Sequence, residues 1–350
     1  MKKIVFVIPD MPGGGTEKVV MLLANEYAKR NIPVAILLFA GSQLMYEIDR
    51  RVEFISISKA SIGKMWIKIK RIWKMRSYFK RNKDCIIFSF STMGTAFCVV
   101  ATFMMKRFIL VSERNDPNNC PNARWRDWAY KKADKLTFQT KDIMMFFPRS
   151  IQKKSIIIPN PIDDSIPMKT GNPREKTIVS FGRLEAQKNI HLLLEAYRLF
   201  KTDVEGYTLH IYGSGSMEDE LKENAIELGI NDYVVWHGFV SDVQEKIIDS
   251  GMYVLSSDYE GISNSMLEAL AMGIPTVATD CLGGGNRAYI EDGMNGLLIP
   301  TQDAKAMAQA MKRIALDDDL ANRLSENAIK VRETHSVTEI ADMFLECVKG

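Results

Sequence analysis

The feature that most constrains this chain is a double alternation. Short, almost wholly apolar segments recur with stretches of helical periodicity between them, at Ile4 to Ile8, Val34 to Phe39, Cys85 to Phe90, Phe108 to Val111, Leu136 to Phe138 and Ser155 to Ile158. The series then repeats at Thr177 to Phe181, Tyr207 to Tyr212, Tyr233 to Trp236, Met252 to Leu255, Thr276 to Ala278 and Gly296 to Ile299. Strands without an in/out alternation are buried on both faces, which demands a parallel sheet covered by helices. Two rounds predict two α/β domains, each a doubly wound, Rossmann-like sheet. Between the rounds, Pro161 to Lys176 (PIDDSIPMKTGNPREK) has no periodic apolar face and is expected to carry the boundary. The expected units are residues 1–164, residues 165–335, and a short amphipathic tail helix within 336–350. A length of 350 residues is ample for two cores.

Composition narrows the classes. With 46% hydrophobic and 25% charged residues, disorder, collagen and coiled coil are excluded. The net charge of +3 hides an asymmetry: residues 1–164 carry 29 basic and 14 acidic side chains, and the remainder 17 and 29. A basic first half is suited to a polyanion or an anionic membrane surface. Five cysteines, far apart and without a CxxC pair, read as reduced thiols rather than a zinc site. The opening MKKIVFVIPD begins like a signal peptide, yet its apolar run stops at Pro9 and reads as a first strand. The uncharged run Cys85 to Met105 is long enough to span a bilayer. Ser89, Ser91, Thr92, Gly94 and Thr95 divide it, and a buried strand followed by a short helix is expected instead.

In doubly wound sheets ligands bind beyond the carboxyl ends of the strands, so the segments just after each strand carry the functional information. After the first strand comes Pro12-Gly13-Gly14-Gly15-Thr16-Glu17, where glycines let the backbone approach a ligand and Thr16 is a candidate helix cap. After the strand at 177–181, Arg183 and Lys188 flank a turn where two cations could neutralise a diphosphate. Tyr212-Gly213-Ser214-Gly215 is a further glycine turn. After the strand at 252–255, Glu260 lies in a loop and Glu268 about two turns into a helix that starts near Ser263 or Asn264. Carboxylates in such places accept hydrogen bonds from ribose and sugar hydroxyls. Two carboxylates, a helix start and two cations suit a sugar nucleotide.

The segments IIPNPID, SFGRLEAQKN, EGISNSMLEALAMGIPTVATD and EDGMNGLLIP, in this order between Ile156 and Pro300, resemble the family 4 retaining glycosyltransferases. The GGGTE loop after the first strand and Val111 to Pro117 resemble the same family, and Val111 to Pro117 with Cys281-Leu282-Gly283-Gly284-Gly285 resemble a subgroup that builds bacterial surface glycans from UDP-hexoses or UDP-N-acetylhexosamines. The resemblance implies the GT-B fold, two Rossmann-like domains facing each other across a cleft, with an acceptor-binding first domain and a donor-binding second. It implies Arg183 and Lys188 on the donor diphosphate, Glu268 on the ribose and Glu260 on the transferred sugar. Backbone amides of Ile262, Ser263, Asn264 and Ser265 would complete those contacts, Gly14 and Gly15 would approach from the first domain, and the base would lie near Gly213, Phe239 and Val240. It further implies retention at the anomeric carbon without a metal or other cofactor, and a tail helix returning to the first domain. In one respect the chain departs from the pattern. Family members commonly place a His beside the donor sugar in the first domain, but His191, His210, His237 and His335 all lie in the second half, leaving Glu113, Arg114 or Asn115 as candidates for that place.

The positive charge is concentrated between Lys59 and Lys83, with ten Lys or Arg and no acid. Met65, Ile69, Ile72 and Phe79 recur there at helical spacing, with Trp66 and Trp73 beside them. This reads as a basic amphipathic helix on an anionic lipid surface, with Lys64, Trp66, Lys68, Lys70, Arg71, Trp73 and Lys74 as contacts, or as a domain helix whose apolar stripe faces the sheet; the family resemblance, with its lipid-linked acceptors, implies the first and a lipid-linked glycan as acceptor. The protein is accordingly expected in the cytoplasm, peripheral on the inner face of the membrane. The same segment keeps open a non-catalytic membrane- or nucleic-acid-binding protein with a vestigial nucleotide-sugar site, although no RRM, KH or zinc pattern accompanies it and no nucleic-acid partner is expected. A nicotinamide dehydrogenase would need GxGxxG after the first strand, where this chain has GGGTEK.

Overall fold

The computed structural model describes residues 2–58, 65–114, 117, 120, 122–169 and 174–349. The chain divides into two compact units, one of Met1–Pro161 with His335–Gly350 and one of Ile162–Thr334.

The first unit runs β1 (Lys3–Ile8), α1 (Gly15–Lys29), β2 (Val34–Leu38), β3 (Glu53–Ser56), α2 (Met65–Arg81), β4 (Cys85–Ser89), α3 (Thr92–Ala101), β5 (Phe108–Glu113), α4 (Ala123–Lys132), β6 (Lys135–Phe138), α5 (Lys141–Phe146), α6 (Arg149–Gln152) and β7 (Ser155–Ile157). Its sheet has the order β3-β2-β1-β4-β5-β6-β7 with every neighbour parallel. Successive side chains of a strand point to opposite faces. Thus Ile4, Phe6 and Ile8 of β1 pack into a core with α1, while Val5 and Val7 join Met75, Phe79, Phe97 and Tyr130 from α2, α3 and α4 on the other face. Strand β3 was not expected: it is a short edge strand whose side chains are largely exposed, so no apolar run marks it. The uncharged stretch from Cys85 forms β4 and α3, and among the described residues no helix is long and apolar enough to cross a membrane.

Helix α2 is amphipathic in a different register from the expected one. Its inner stripe is Arg71, Met75, Tyr78 and Phe79, whereas Met65, Trp66, Ile69 and Trp73 are exposed. Arg71 is only 1% exposed, so its place among the membrane-contacting residues is corrected: positions 71, 75, 78 and 79 share the face that packs on the sheet. Lys70 and Lys74 remain at the surface and Lys68 is half-buried, with Lys74 Nζ donating to Ile57 O at 2.8 Å. Lys64 lies outside the described residues.

The last helix, α15 (Val337–Lys349), belongs to this first unit. Ile340, Ala341 and Phe344 complete the core beside α1, the Tyr27 hydroxyl donates to Ala341 O at 2.9 Å, and Arg30 pairs with Asp342.

The second unit runs β8 (Glu175–Phe181), α7 (Ile190–Lys201), β9 (Thr208–Tyr212), α8 (Glu218–Glu227), β10 (Val234–Gly238), α9 (Val243–Ile247), β11 (Ser250–Leu255), α10 (Asn264–Ala271), β12 (Thr276–Thr279), α11 (Gly285–Tyr289), β13 (Leu297–Ile299), α12 (Ala304–Leu316), α13 (Asp318–Ala328) and α14 (Val331–Thr334). Its parallel sheet has the order β10-β9-β8-β11-β12-β13. Ile178 and Val179 again face two separate cores, the second of which is built on α10. Asp317 caps α13 by accepting from Leu320 N at 2.9 Å.

The packing of α15 makes a definite prediction. Phe344 is fully buried against the Phe88 and Phe90 rings, at centroid distances of 5.8 and 5.9 Å. Phe344→Ala should cost the first unit about 3–5 kcal/mol. The measurement is the urea midpoint of that unit, followed by the near-ultraviolet signal of its aromatics.

Candidate active site

The second sheet winds outward from β8 to β9 and β10, then returns to place β11 on the other side of β8. The loops leaving β8 and β11 therefore diverge at the carboxyl edge, and the crevice between them is where a doubly wound sheet admits a ligand.

These two loops are laced together. Asp258 N donates to Gln187 O at 3.0 Å, and the Ser256 hydroxyl donates to Lys188 O at 2.8 Å. Asn189, in the left-handed region at φ 44°, caps α7 and also donates to Asp258 Oδ1 at 2.8 Å. Gln302 donates to the same oxygen at 2.6 Å. Within this frame Lys188 Nζ meets Glu260 Oε1 at 2.6 Å. Glu260 also accepts from the Ser257 hydroxyl at 2.8 Å and from Gln187 Nε2 at 3.3 Å. Arg183 stands at the head of the same turn, its carbonyl accepting from Glu185 N at 3.0 Å and its side chain exposed, with no side-chain hydrogen bond or ion pair among the described residues. The turn is held from beside it, where Glu185 accepts from Ser216 N at 3.1 Å and Ser216 Oγ at 2.8 Å, bonds that keep its carboxyl below the usual range.

Helix α10 starts where the sequence placed it. The Ser263 hydroxyl caps it by accepting from Met266 N at 3.4 Å and lies 2.9 Å from the Ser265 hydroxyl, which accepts from Tyr253 OH at 2.8 Å. Burial pushes the Tyr253 phenol well above its ordinary range, so it stays a hydrogen-bond donor. Ile262, Ser263 and Ser265 are buried and Asn264 is half-buried. Glu268 lies on this helix, nearly buried, and its carboxylate accepts from Gln244 Nε2 of α9. The structure thus brings Arg183, Lys188, Glu260, Ile262 to Ser265 and Glu268 to one edge of one sheet. Its side-chain partners Gln187, Ser257 and Gln244 were missed. Gln187 lies inside the SFGRLEAQKN segment, but nothing near Gln244 in sequence marks it as the partner of a residue 24 positions away.

Two glycines are required by close approach. A Cβ on Gly213 would fall 1.8 Å from Gly182 O, and one on Gly285 1.5 Å from Gly261 O. The second contact packs the Leu282 to Gly285 turn against the Glu260 loop, where Glu260 N also donates to Leu282 O at 2.9 Å. Gly213 N donates to Gly238 O at 2.7 Å, placing the two turns expected to receive the base side by side, with Phe239 exposed and Val240 half-buried beyond them. His237 stacks on Tyr212 there, at 4.0 Å between centroids, and its Nε2 lies 3.0 Å from His210 Nδ1. Burial holds both imidazoles below their ordinary pKa.

The first unit carries its own candidates at the carboxyl edge of its sheet. Gly14 precedes α1 without a side-chain cap and Gly15 opens the helix, so Thr16 lies within it and is not the cap that its position suggested. Gly14 O accepts from Tyr46 OH at 3.0 Å. Glu113 is turned inward: only 4% exposed, it accepts from Arg114 N at 3.0 Å and from Tyr130 OH at 2.6 Å. Burial, with the Glu113 charge behind it, raises the Tyr130 phenol well above its usual value, so the hydroxyl keeps its proton for that bond. This geometry makes Glu113 a brace for the turn and not a group presented at the edge. Arg114 packs its guanidinium 4.9 Å over the Phe90 ring, bonded to Ser112 and Asn160. Asn115 lies outside the described residues. Among the described residues no group of three or more His, Cys, Asp or Glu is placed to hold a metal ion.

Residues 163–331 match the family described as glycosyl transferases group 1. Over 99% of its length, the chain is 24% identical to a Campylobacter jejuni protein named GalNAc-alpha-(1->4)-GalNAc-alpha-(1->3)-diNAcBac-PP-undecaprenol alpha-1,4-N-acetyl-D-galactosaminyltransferase, covering 98% of it. It is 28% identical, over 95% of both chains, to the N-acetylgalactosamine-N,N'-diacetylbacillosaminyl-diphospho-undecaprenol 4-alpha-N-acetylgalactosaminyltransferase of the same organism. A crystal structure of Anabaena HepE in complex with UDP and glucose superposes over the full length of both chains with a TM-score of 0.86 at 18% identity, a likeness of fold.

The close approach at Gly285 generates a test. Since no real Cβ is tolerated at 1.5 Å from a backbone oxygen, Gly285→Ala must displace the Glu260 loop. The expected result is a loss of about 1–3 kcal/mol in the second unit, read by chemical denaturation. Gly293→Ala, a glycine with open space around it, is the matched control for a glycine whose substitution perturbs only its own backbone.

Proposed function

We propose that the chain, a glycosyltransferase of GT-B fold, belongs to family 4 and moves a hexose or N-acetylhexosamine from a UDP-sugar to a lipid-linked glycan during assembly of a bacterial surface glycan. The observation that carries this reading is the convergence of exposed Arg183, the Lys188–Glu260 pair and Glu268 at the switch point of the second sheet.

In the proposed reaction Arg183 and Lys188 bind the diphosphate, the first-turn amides of α10 add partial positive charge, and Glu268 takes the ribose hydroxyls in place of Gln244. Glu260 orients the sugar. The bond from the anomeric carbon to the diphosphate oxygen breaks as the acceptor oxygen attacks the same face. The acceptor proton passes to the departing phosphate, so configuration is retained without an enzyme nucleophile. The protein supplies positioning and stabilisation of the charge that develops on the leaving group. The residues assigned this work form no cation site of their own, and the reading includes no metal.

The acceptor part of the reading is supported by the names of the two Campylobacter relatives, whose substrates carry an undecaprenyl diphosphate. Contact with the membrane surface is proposed through α2, where Trp66 and Trp73, 62% and 71% exposed, stand beside Lys70 and Lys74. Aromatic rings with flanking cations are the composition of an interfacial helix.

The test is a panel of UDP-, GDP- and ADP-sugars, scored by thermal stabilisation and slow hydrolysis. One UDP-sugar is expected to respond, with the response lost in Glu268→Ala. Arg183→Ala should lower kcat by about 10²–10³-fold, as does removal of one group that stabilises a developing anion. Absence of a response to every sugar nucleotide would overturn the proposal.

A further inference from the structure

On the outer face of the first unit a groove of about 470 Å³ runs between α2, α3 and α4. Trp73 forms one wall and Trp128 another, with Val99, Val100 and Phe103 from the end of α3 and the turn after it between them. Val100, Phe103 and both tryptophans are substantially exposed, so an apolar slot of the size that takes small ligands stands open to solvent. Its shape is set by a polar clamp: Arg76 Nη1 donates to Ala101 O at 3.0 Å and to Phe103 O at 2.9 Å, tying the carboxyl end of α3 to α2. Lys132 lines the groove from the end of α4, exposed and without an ion pair among the described residues.

The charge around the groove is one-sided. The three helices that form it carry eleven Lys and Arg, of which Arg71 and Arg126 are buried, against a single acid, Asp127, paired with Arg126; the cations lining the groove itself are Arg76 and Lys132. The groove is also continuous with the exposed apolar face of α2, since Trp73 belongs to both and follows Met65, Trp66 and Ile69. An apolar slot rimmed by cations and opening within an aromatic surface is complementary to a molecule with a hydrocarbon chain and an anionic head. Its position in the fold separates it from the reaction. Helices α3 and α4 begin at the carboxyl edge of the sheet, so their last turns, which line the groove, lie roughly 15 Å away along ten-residue helices.

We propose that this groove holds one acyl chain of an anionic phospholipid drawn from the bilayer, with the headgroup phosphate on Lys132. The inference rests on the membrane contact proposed above and makes it specific: the protein does not merely lie on the surface but takes a lipid out of it. Each buried methylene strengthens such binding by up to about fourfold, so affinity grows with chain length until the groove is filled.

The experiment uses the full chain and three probes: monomeric lysophosphatidylglycerol, monomeric lysophosphatidylcholine, and phosphatidylglycerol vesicles. Native mass spectrometry and cosedimentation are the readouts, and thermal stabilisation by UDP serves as the check on fold and donor site. The expected result is one bound lysophosphatidylglycerol, preferred over lysophosphatidylcholine by about tenfold. Val100→Glu, which places a charge in the slot from an exposed position, abolishes that binding and weakens vesicle binding while leaving the response to UDP unchanged. Trp66→Ala, on α2 but outside the groove, retains the bound lysophospholipid. Equal binding of both lysophospholipids would overturn the assignment of the headgroup. If Val100→Glu binds lipid and vesicles as the unchanged protein does, the groove is overturned while membrane contact through α2 stands. If the unchanged protein ignores vesicles altogether, both readings fail. Self-association that is lost in Val100→Glu and indifferent to lipid would overturn the proposal in favour of a protein occupant.

Discussion

Everything at the candidate active site depends on how the loop after β8 is fastened to the loop after β11. A parallel sheet that reverses its winding leaves these loops diverging, and two diverging loops do not by themselves hold side chains in register. Here the Asp258 amide and the Ser256 hydroxyl, donating to the Gln187 and Lys188 carbonyls, close the crevice floor, and Asn189 and Gln302 converge on the Asp258 carboxylate. The Lys188–Glu260 pair is then set by backbone geometry on both sides. Preorganisation of this kind is what an electrostatic catalyst requires, because charges already in place cost no reorganisation as the reaction proceeds. The close contact of Gly285 with Gly261 extends the same principle one loop further and backs the Glu260 loop with a turn that admits no side chain.

The two units meet a common topology with different chemistry at the sheet edge. In the second unit the edge carries charged groups on short loops. In the first, the corresponding segment after β5 buries its charge: Glu113 is spent on Tyr130 and the Arg114 amide, and Arg114 is stacked over Phe90 and bonded to Asn160, which also accepts from Gln139. A buried network of hydrogen bonds fixes a local conformation more than it offers a reactive group. It lies at the ends of β5, β6 and β7.

The sequence displayed the two sheets and most of the second-unit site because both are local signals. Apolar runs report strands buried on both faces, and Ser263 ahead of an apolar helix reports its start. What stayed hidden was long-range or solvent-facing. Strand β3 has almost no buried side chain to betray it, Gln244 meets Glu268 only through the packing of α9, and the inner stripe of α2 includes Arg71. That last case shows the limit of periodicity: Met65, Ile69 and Trp73 are as regularly spaced as the true inner face, and only contact with the sheet distinguishes the stripe that is buried from the one left outside. Likewise GGGTE suggested Thr16 as the cap, but the turn places Gly14 at that position.

The two cations assigned to the diphosphate are not equivalent as probes of that assignment. Lys188 is largely buried and paired, so its removal strands the Glu260 carboxylate in a site with little water, and a stranded buried charge costs several kcal/mol whatever the ligand does. A fall in activity on that substitution would mix lost binding with a rearranged loop. The Arg183 side chain has no such entanglement, being exposed and without a side-chain hydrogen bond or ion pair among the described residues, and its removal leaves the Lys188–Glu260 pair intact. An exposed arginine with no side-chain partner contributes little to folding. Its guanidinium is therefore the group at this edge whose effect on turnover reads most directly on the substrate, and a loss there without a loss of stability separates the chemistry of the site from its construction.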